Sequence, residues 1–203
     1  GLVRASSNPV YIKPLQCGGS DQAFVQRFCP NVNAQTLFTW QTPASPHVAS
    51  VREDLPVSDD EVMSSLTSAL NIISNNNQPS TTWIETAGGA MSPSSASPQN
   101  KLPQHARTQN HWGWQSQADL YRSLGEQIST VLVGDGRLGG ISATLSTLES
   151  LLIRGYNVSG LLLIEGGYGN ISALREHLSR KYDRYPLFNV DNNTVVSFPE
   201  LPP

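Results

Sequence analysis

Two hydrophobic rhythms run along this chain. Short β-branched and aliphatic runs, Val10-Tyr11-Ile12-Lys13, Trp83-Ile84-Glu85-Thr86, Thr130-Val131-Leu132-Val133 and Leu161-Leu162-Leu163-Ile164, each lead into a Gly- or Pro-rich stretch and predict buried strands. A weaker run from Pro186 to Val190 predicts a fifth. Between them the apolar spacing lengthens to the helical period. It is clearest from Ile141 to Arg154, where Ile141, Leu145, Leu148 and Leu152 share a face and Gly155 supplies a stop. Ser58 with Glu61 three residues on has capping-box spacing, and the acids of that first turn suit a helix running through Leu66 and Leu70. Asp21 to Phe28 and Ser172 to Tyr182 predict shorter helices. Strands alternating with helices predict βαβ units, an α/β fold and a mostly parallel sheet.

Both rhythms stop between Ser92 and Gln117, where Ser, Pro, Gln, Asn and His dominate. This segment, 91–118, reads as a mobile loop insertion with Trp112-Gly113-Trp114 at its far end as a packed anchor, a lid or a partner contact. Phe198 to Pro203 is too Pro-rich for a helix and reads as a tail or linker. A length of 203 residues predicts one compact domain over 1–203. With 38% hydrophobic and 14% charged residues, 16 Gly and 14 Pro, that domain is globular but loop-rich.

Charge narrows the partners. A net −3 leaves no basic surplus for phosphate backbones, so nucleic acid and anionic membrane are excluded as first readings. No apolar run approaches the roughly 20 residues of a membrane span, and Gly1-Leu2-Val3-Arg4 lacks a signal-peptide core, which predicts a soluble protein. Cys17 and Cys29 make no disulfide framework and suit a reducing, intracellular compartment; the glycosylation triplets at Asn157, Asn170 and Asn192 are then chance. None of Lys13, Lys101 and Lys181 lies in a Gly-Lys-Ser/Thr phosphate loop.

In open α/β sheets ligands gather where strands end. After the first run stands Lys13-Pro14-Leu15-Gln16-Cys17-Gly18-Gly19-Ser20-Asp21, which predicts a Lys at a strand end and an Asp opening a helix beyond a Gly turn. After the second stands Glu85-Thr86-Ala87-Gly88-Gly89, a carboxylate followed by glycines whose N–H groups can approach an anion. A Lys, an Asp and a Glu brought together suit Mg²⁺ and phosphate, although each alone is equally a solvated loop charge. After the third stands Gly134-Asp135-Gly136-Arg137-Leu138-Gly139, which matches the dinucleotide fingerprint and equally a Gly-rich turn for close packing. Ser45-Pro46-His47 pairs a hydroxyl with a base but has no third member nearby in sequence, and His105, His111 and His177 show no metal-ligand spacing.

Taken in order, these segments resemble dethiobiotin synthetase, and especially the synthetase part of the eukaryotic bifunctional enzyme that also carries an aminotransferase. The resemblance rests on Tyr11-Ile12-Lys13-Pro14, Ser20-Asp21, Ser45-Pro46-His47, Ile84 to Gly89 with Ser92-Pro93, Gln117 to Arg122, and Val133 to Ser142. It implies a P-loop-NTPase-like fold with helices on both faces of the sheet, a homodimer, and Mg²⁺-dependent closure of the dethiobiotin ureido ring from 7,8-diaminononanoate, CO₂ and ATP. By the same resemblance Lys13 is the catalytic charge, and Asp21 and Glu85 hold Mg²⁺. Glu85, Thr86, Ala87, Gly88, Glu165, Pro199, Glu200 and Leu201 face the nucleotide. Cys17, Arg137, Leu138, Gly139, Gly140, Ile141 and Ser142 contact the diamine, the last six across the dimer.

There are departures from the family pattern. Cys17 stands where a Ser or Thr is usual, Ile164 where bacterial members have an Asn, and the family's first strand and Gly-rich Lys-Thr loop are missing. Gly1 to Ser6 resembles the end of the helix that follows that loop, so this chain is expected to be inactive or nearly so, in a cytoplasmic or mitochondrial setting. Two other readings stay open: a nicotinamide-binding oxidoreductase using Gly134 to Gly139, and a non-catalytic binding relic using the Trp112/Trp114 loop.

Overall fold

The structure, a computed structural model, describes residues 1–76, 79–100, 112–125, 127–165, 167–181 and 187–190. Where length alone predicts one compact domain, the chain divides into two compact units, Ser6–Tyr121 and Arg122 onward, the latter including the short helix α1 (Leu2–Ala5).

In the first unit β1 (Pro9–Cys17) leads through a Gly turn into α2 (Asp21–Phe28), and β2 (Asn33–Trp40) follows. Then come α3 (Pro46–Arg52), α4 (Asp59–Asn75), β3 (Thr81–Ile84) and the single turn α5 (Gln117–Leu120). The strands are parallel in the order β2-β1-β3, so β1 is central. Its Tyr11, Ile12 and Leu15 are buried, as a strand with two neighbours requires.

β1 is longer than its aliphatic run. Pro14 does not end it, because pairing with β3 stops at Ile12 and Pro14 is the one position skipped in the register with β2, so its missing N–H breaks no paired position. Lys13 is therefore mid-strand and buried, not at a strand end. α4 forms as its capping box predicts, with Ser58 Oγ accepting from Glu61 N and Glu61 Oε2 accepting from Ser58 N. It buries Val62, Leu66 and Ala69 along one stripe, the first two worth about 2 kcal/mol each.

The stretch read as a mobile insertion is, where described, a packed stem. Antiparallel bridges join Pro93 to Ser116 and Ser97 to Gly113, and the side chains of Ser94, Ser95 and Ser97 are fully buried. Asn100 ties the stem together, donating to Ser95 O and Gly113 O and accepting from Asp59 N at the start of α4. Small polar residues without periodicity make this core by hydrogen bonding rather than by apolar burial. The tip, 101–111, with His105 and His111, lies outside the described residues.

Asp59 is buried against this stem with Gln115 Nε2 on its Oδ2 at 3.1 Å. Burial raises its carboxyl above the ordinary range. A raised folded-state pKa means stability is fullest below the unfolded pKa and is lost as pH climbs through the folded value. Asp59→Asn, which removes the charge, is expected to stabilise the fold by about 1 kcal/mol at neutral pH. Urea unfolding at pH 7 and pH 4 checks this, with the advantage shrinking at pH 4.

The second unit continues with α6 (Arg122–Gly125), β4 (Ser129–Gly136), α7 (Gly140–Ile153), β5 (Asn157–Glu165), α8 (Asn170–Lys181) and β6 (Leu187–Val190). Its sheet is parallel in the order β4-β5-β6, and Leu163, Ile171 and Leu174 form a core with Ile141 and Leu145 packed on it. β6 falls within the weak fifth run. The described strands thus pair as three parallel strands in each unit. Also among the described residues, no helix is long and apolar enough to cross a membrane.

Candidate functional site

Three backbone segments bring the predicted charges together in the first unit. β1 places Lys13 in the sheet. Beyond it the chain reverses through Gly18 and Gly19, both left-handed, and a Cβ on Gly18 would lie 2.9 Å from Pro43 Cβ, so a side chain there is excluded twice over. Gln16 braces this turn from within, donating to Gly18 O and accepting from Asp21 N. Ser20 caps α2 by accepting from Ala23 N, which sets Asp21 in the first helical turn. Glu85 follows β3 directly, its N–H donating to Ile12 O.

The three side chains meet at one nitrogen. Lys13 Nζ donates to Glu85 Oε1 at 2.8 Å and to Thr86 O at 3.2 Å, and forms an ion pair with Asp21 Oδ2 at 2.7 Å. The lysine is buried and both carboxylates are about half exposed. Tyr11, two residues before Lys13 and so on the same face of β1, donates its hydroxyl to Glu85 Oε2 at 2.8 Å. Burial first, then the Glu85 hydrogen bond and the Glu85 and Asp21 charges, drive the Tyr11 hydroxyl far above its ordinary range, so it remains a donor. Both Glu85 oxygens are thereby oriented. The sequence reading named Tyr11 only as part of a motif; its period-two spacing from Lys13 was the available signal.

One ammonium against two carboxylates leaves a net negative charge whose open side faces solvent. That donor set fits a divalent cation held by two carboxylates with the rest of its shell from phosphate and water. Among the described residues no third acid, His or Cys joins to make an all-protein metal cage.

The loop after β3 turns on Gly88, left-handed and with Ser92 Oγ 2.7 Å from where a Cβ would be. Thr86 Oγ1 donates to Gly88 O, and Ser92 N donates to Gly89 O. Cys17, at the end of β1, has its thiol pushed up to about 11 by burial and by the Glu53 charge, with Lys13 pulling the other way. It is a protonated, weak donor at neutral pH.

Ser45 Oγ and His47 Nδ1 lie 2.8 Å apart at the start of α3, and burial lowers the His47 pKa, so the imidazole is neutral. Its ring meets Trp114 at 5.6 Å. No carboxylate completes a triad among the described hydrogen bonds, which leaves serine chemistry without its orienting group.

The remaining predicted residues belong to the second unit. Gly134 and Gly136 are inside β4 and not in a phosphate-binding turn; a Cβ on Gly134 would lie 2.6 Å from both Leu163 Cδ1 and Thr144 Oγ1. Gly134 thus serves close packing of β4 against β5 and α7, and both glycines belong to the strand, which removes the support for a nicotinamide fingerprint. Past the strand, Arg137 forms a bidentate pair with Asp135, and Arg137 and Leu138 are exposed. Gly139 is left-handed at the N-cap of α7, Gly140 is buried, Ile141 packs on the core and Ser142 is exposed. Asn170, itself buried, holds this loop by donating to Asp135 O and Arg137 O. Glu165 is the last residue of β5. Pro199, Glu200 and Leu201 lie outside the described residues.

No family model matches the chain. Curated relatives do. The chain is 39% identical over 149 residues to a rice protein named bifunctional dethiobiotin synthetase/7,8-diamino-pelargonic acid aminotransferase, mitochondrial. It is 37% identical over 161 residues to the corresponding bifunctional protein of Emericella nidulans, named as a dethiobiotin synthetase/adenosylmethionine-8-amino-7-oxononanoate aminotransferase.

The chain is a homologue of the dethiobiotin synthetases.

These two matches cover 72% and 78% of the chain, but the chain spans only 16% and 18% of those relatives. A third, the Campylobacter jejuni ATP-dependent dethiobiotin synthetase BioD, is 25% identical over 190 residues, covering 92% of this chain and 77% of its own. The parallel strands and intervening helices fit the α/β, P-loop-NTPase-like fold expected of a dethiobiotin synthetase homologue.

Proposed function

We propose that this chain carries the chemistry of dethiobiotin synthesis: ATP- and Mg²⁺-dependent closure of a ureido ring on 7,8-diaminononanoate with CO₂. The observation that carries the reading is the convergence of Asp21, Glu85 and the Thr86 carbonyl on Lys13, in a chain whose relatives are named for this reaction. In this reading the Lys13 ammonium balances the charge of the diamine carbamate and then of the γ-phosphoryl group as it moves to the carbamate oxygen. A protonated, buried lysine already surrounded by oxygens is suited to exchange one of them for a substrate oxygen. Asp21 and Glu85 would hold Mg²⁺, which when bound neutralises the phosphate charge. Glu85 to Gly88 would line the nucleotide.

Cys17 and the Arg137 to Ser142 loop are assigned to the diamine, in a homodimer. The bifunctional relatives suggest fusion to an aminotransferase, and the mitochondrial names of the rice and Arabidopsis proteins suggest an intracellular setting.

The 203 residues contain no Gly-rich Lys-Thr loop, the ordinary cradle for β- and γ-phosphates. Assayed as such, the chain is expected to turn over at least a hundredfold more slowly than a version supplied with that loop. Dethiobiotin formation from diamine, bicarbonate and Mg-ATP by the two forms tests this; equal, robust turnover by the short form defeats the loop requirement. NAD(P)H binding that Gly136→Val weakens, with no response to Mg-ATP, defeats the synthetase reading.

A further inference from the structure

Gln117 lies beyond the packed stem and outside every role assigned above, yet its side chain is 1% exposed and fully engaged. Its Oε1 accepts from Ala87 N at 3.3 Å, its Nε2 donates to Pro93 O at 3.0 Å and its own N–H donates to Ser92 O at 2.8 Å. The next residue continues the clamp, Ala118 N donating to Ala90 O.

The Ala87 N–H and the Thr86 carbonyl belong to one peptide unit, and no peptide among the described residues is cis. In a trans peptide these two groups point in opposite directions. Fixing the N–H on Gln117 therefore aims the carbonyl the other way, and that carbonyl accepts from Lys13 Nζ at 3.2 Å. We infer that Gln117 is a positioning residue: it sets the orientation of the Thr86–Ala87 peptide, so that the loop presents a carbonyl to Lys13. With Gln117 removed, the Thr86–Ala87 peptide is free to turn. Lys13 loses an oxygen, and the segment Glu85 to Gly88 loses its shape.

The consequence for ligand binding rests on the reading that this segment lines a nucleotide, so two readouts are needed. In Gln117→Met the backbone amide of Ala87 is expected to exchange with solvent about tenfold faster by NMR, while the amides of α4 keep their protection. Mg-ATP, titrated calorimetrically, should bind about tenfold more weakly. Gln117→Glu keeps the oxygen that accepts from Ala87 and should retain the Ala87 protection. Should the Met variant not fold, Gln117→Asn, too short to reach, replaces it and should show the same fast Ala87 exchange.

Unchanged Ala87 exchange in a folded Met or Asn variant overturns the positioning role, whatever happens to nucleotide binding. Faster exchange with unchanged Mg-ATP affinity upholds that role and overturns the nucleotide-lining reading instead.

Discussion

In a version supplied with the Gly-rich Lys-Thr loop, Lys13→Met is expected to reduce dethiobiotin formation by about 10²–10³-fold, the usual effect of removing one preorganised positive group from a charge-developing centre. The same substitution destabilises the first unit. It leaves Asp21 and Glu85 without the cation each contacts within 3 Å, on either side of an apolar gap. Breaking a fully buried ion pair costs about 3–5 kcal/mol, but these carboxylates are about half exposed and water screens them, so about 1–2 kcal/mol is expected from urea unfolding.

Companion substitutions separate the two effects. Lys13→Arg keeps the charge, but a flat guanidinium cannot place one nitrogen against the Glu85, Thr86 and Asp21 oxygens that converge on Nζ, so activity should stay at least tenfold down. Adding Glu85→Gln to Lys13→Met removes one of the two orphaned charges and should recover about half of the lost stability with none of the activity. Turnover and unfolding measured on the same three proteins check this. Full activity in Lys13→Met would remove Lys13 from the mechanism altogether.

What could be read from the residues, and what could not, divides along physical lines. Asp21 was legible because the Gly-Gly turn, the Ser20 cap and the acid in the first turn are local signals. Glu85 was legible because it follows Ile84, the last apolar residue of its run and the last residue of β3. Lys13 was singled out but placed at a strand end, since a proline after it reads as a strand end unless the pairing pattern is known. β2 has no aliphatic run: Asn33, Gln35, Thr36 and Thr39 alternate with Ala34, Leu37 and Phe38 on a half-exposed edge, and only its pairing with β1 makes it a strand. α3 did carry a signal, a Ser before a Pro at the first helical position, although that segment was weighed only as a hydroxyl beside a base. Tyr11 and Gln117 act over 74 and 30 positions of sequence, and no local pattern reports such a contact.

Gly140→Ala is expected to be the most damaging single-methyl change in the second unit. A Cβ there overlaps the Asp135 carbonyl oxygen, and Asn170 Nδ2 lies 3.1 Å away on the same side. Neither neighbour is free to retreat: the carbonyl belongs to β4, whose register with β5 runs on through Asp135 and Ile164, and Asn170 is buried while holding Asp135 O and Arg137 O. Relief requires the start of α7 to lift from the strand, at a cost of about 3 kcal/mol. The adjacent glycine supplies the control. Gly139 has φ +87° with nothing within 4 Å of its missing Cβ, so Gly139→Ala meets only backbone strain, about 1 kcal/mol.

Urea unfolding should therefore rank Gly140→Ala well below Gly139→Ala, although helix propensity alone favours Ala over Gly at position 140. The reverse order would mean that α7 can move away from β4 at little cost. The Arg137 to Ser142 loop would then be a pliable segment, and its assignment to the diamine would lose the rigid support that Asn170 and Gly140 give it.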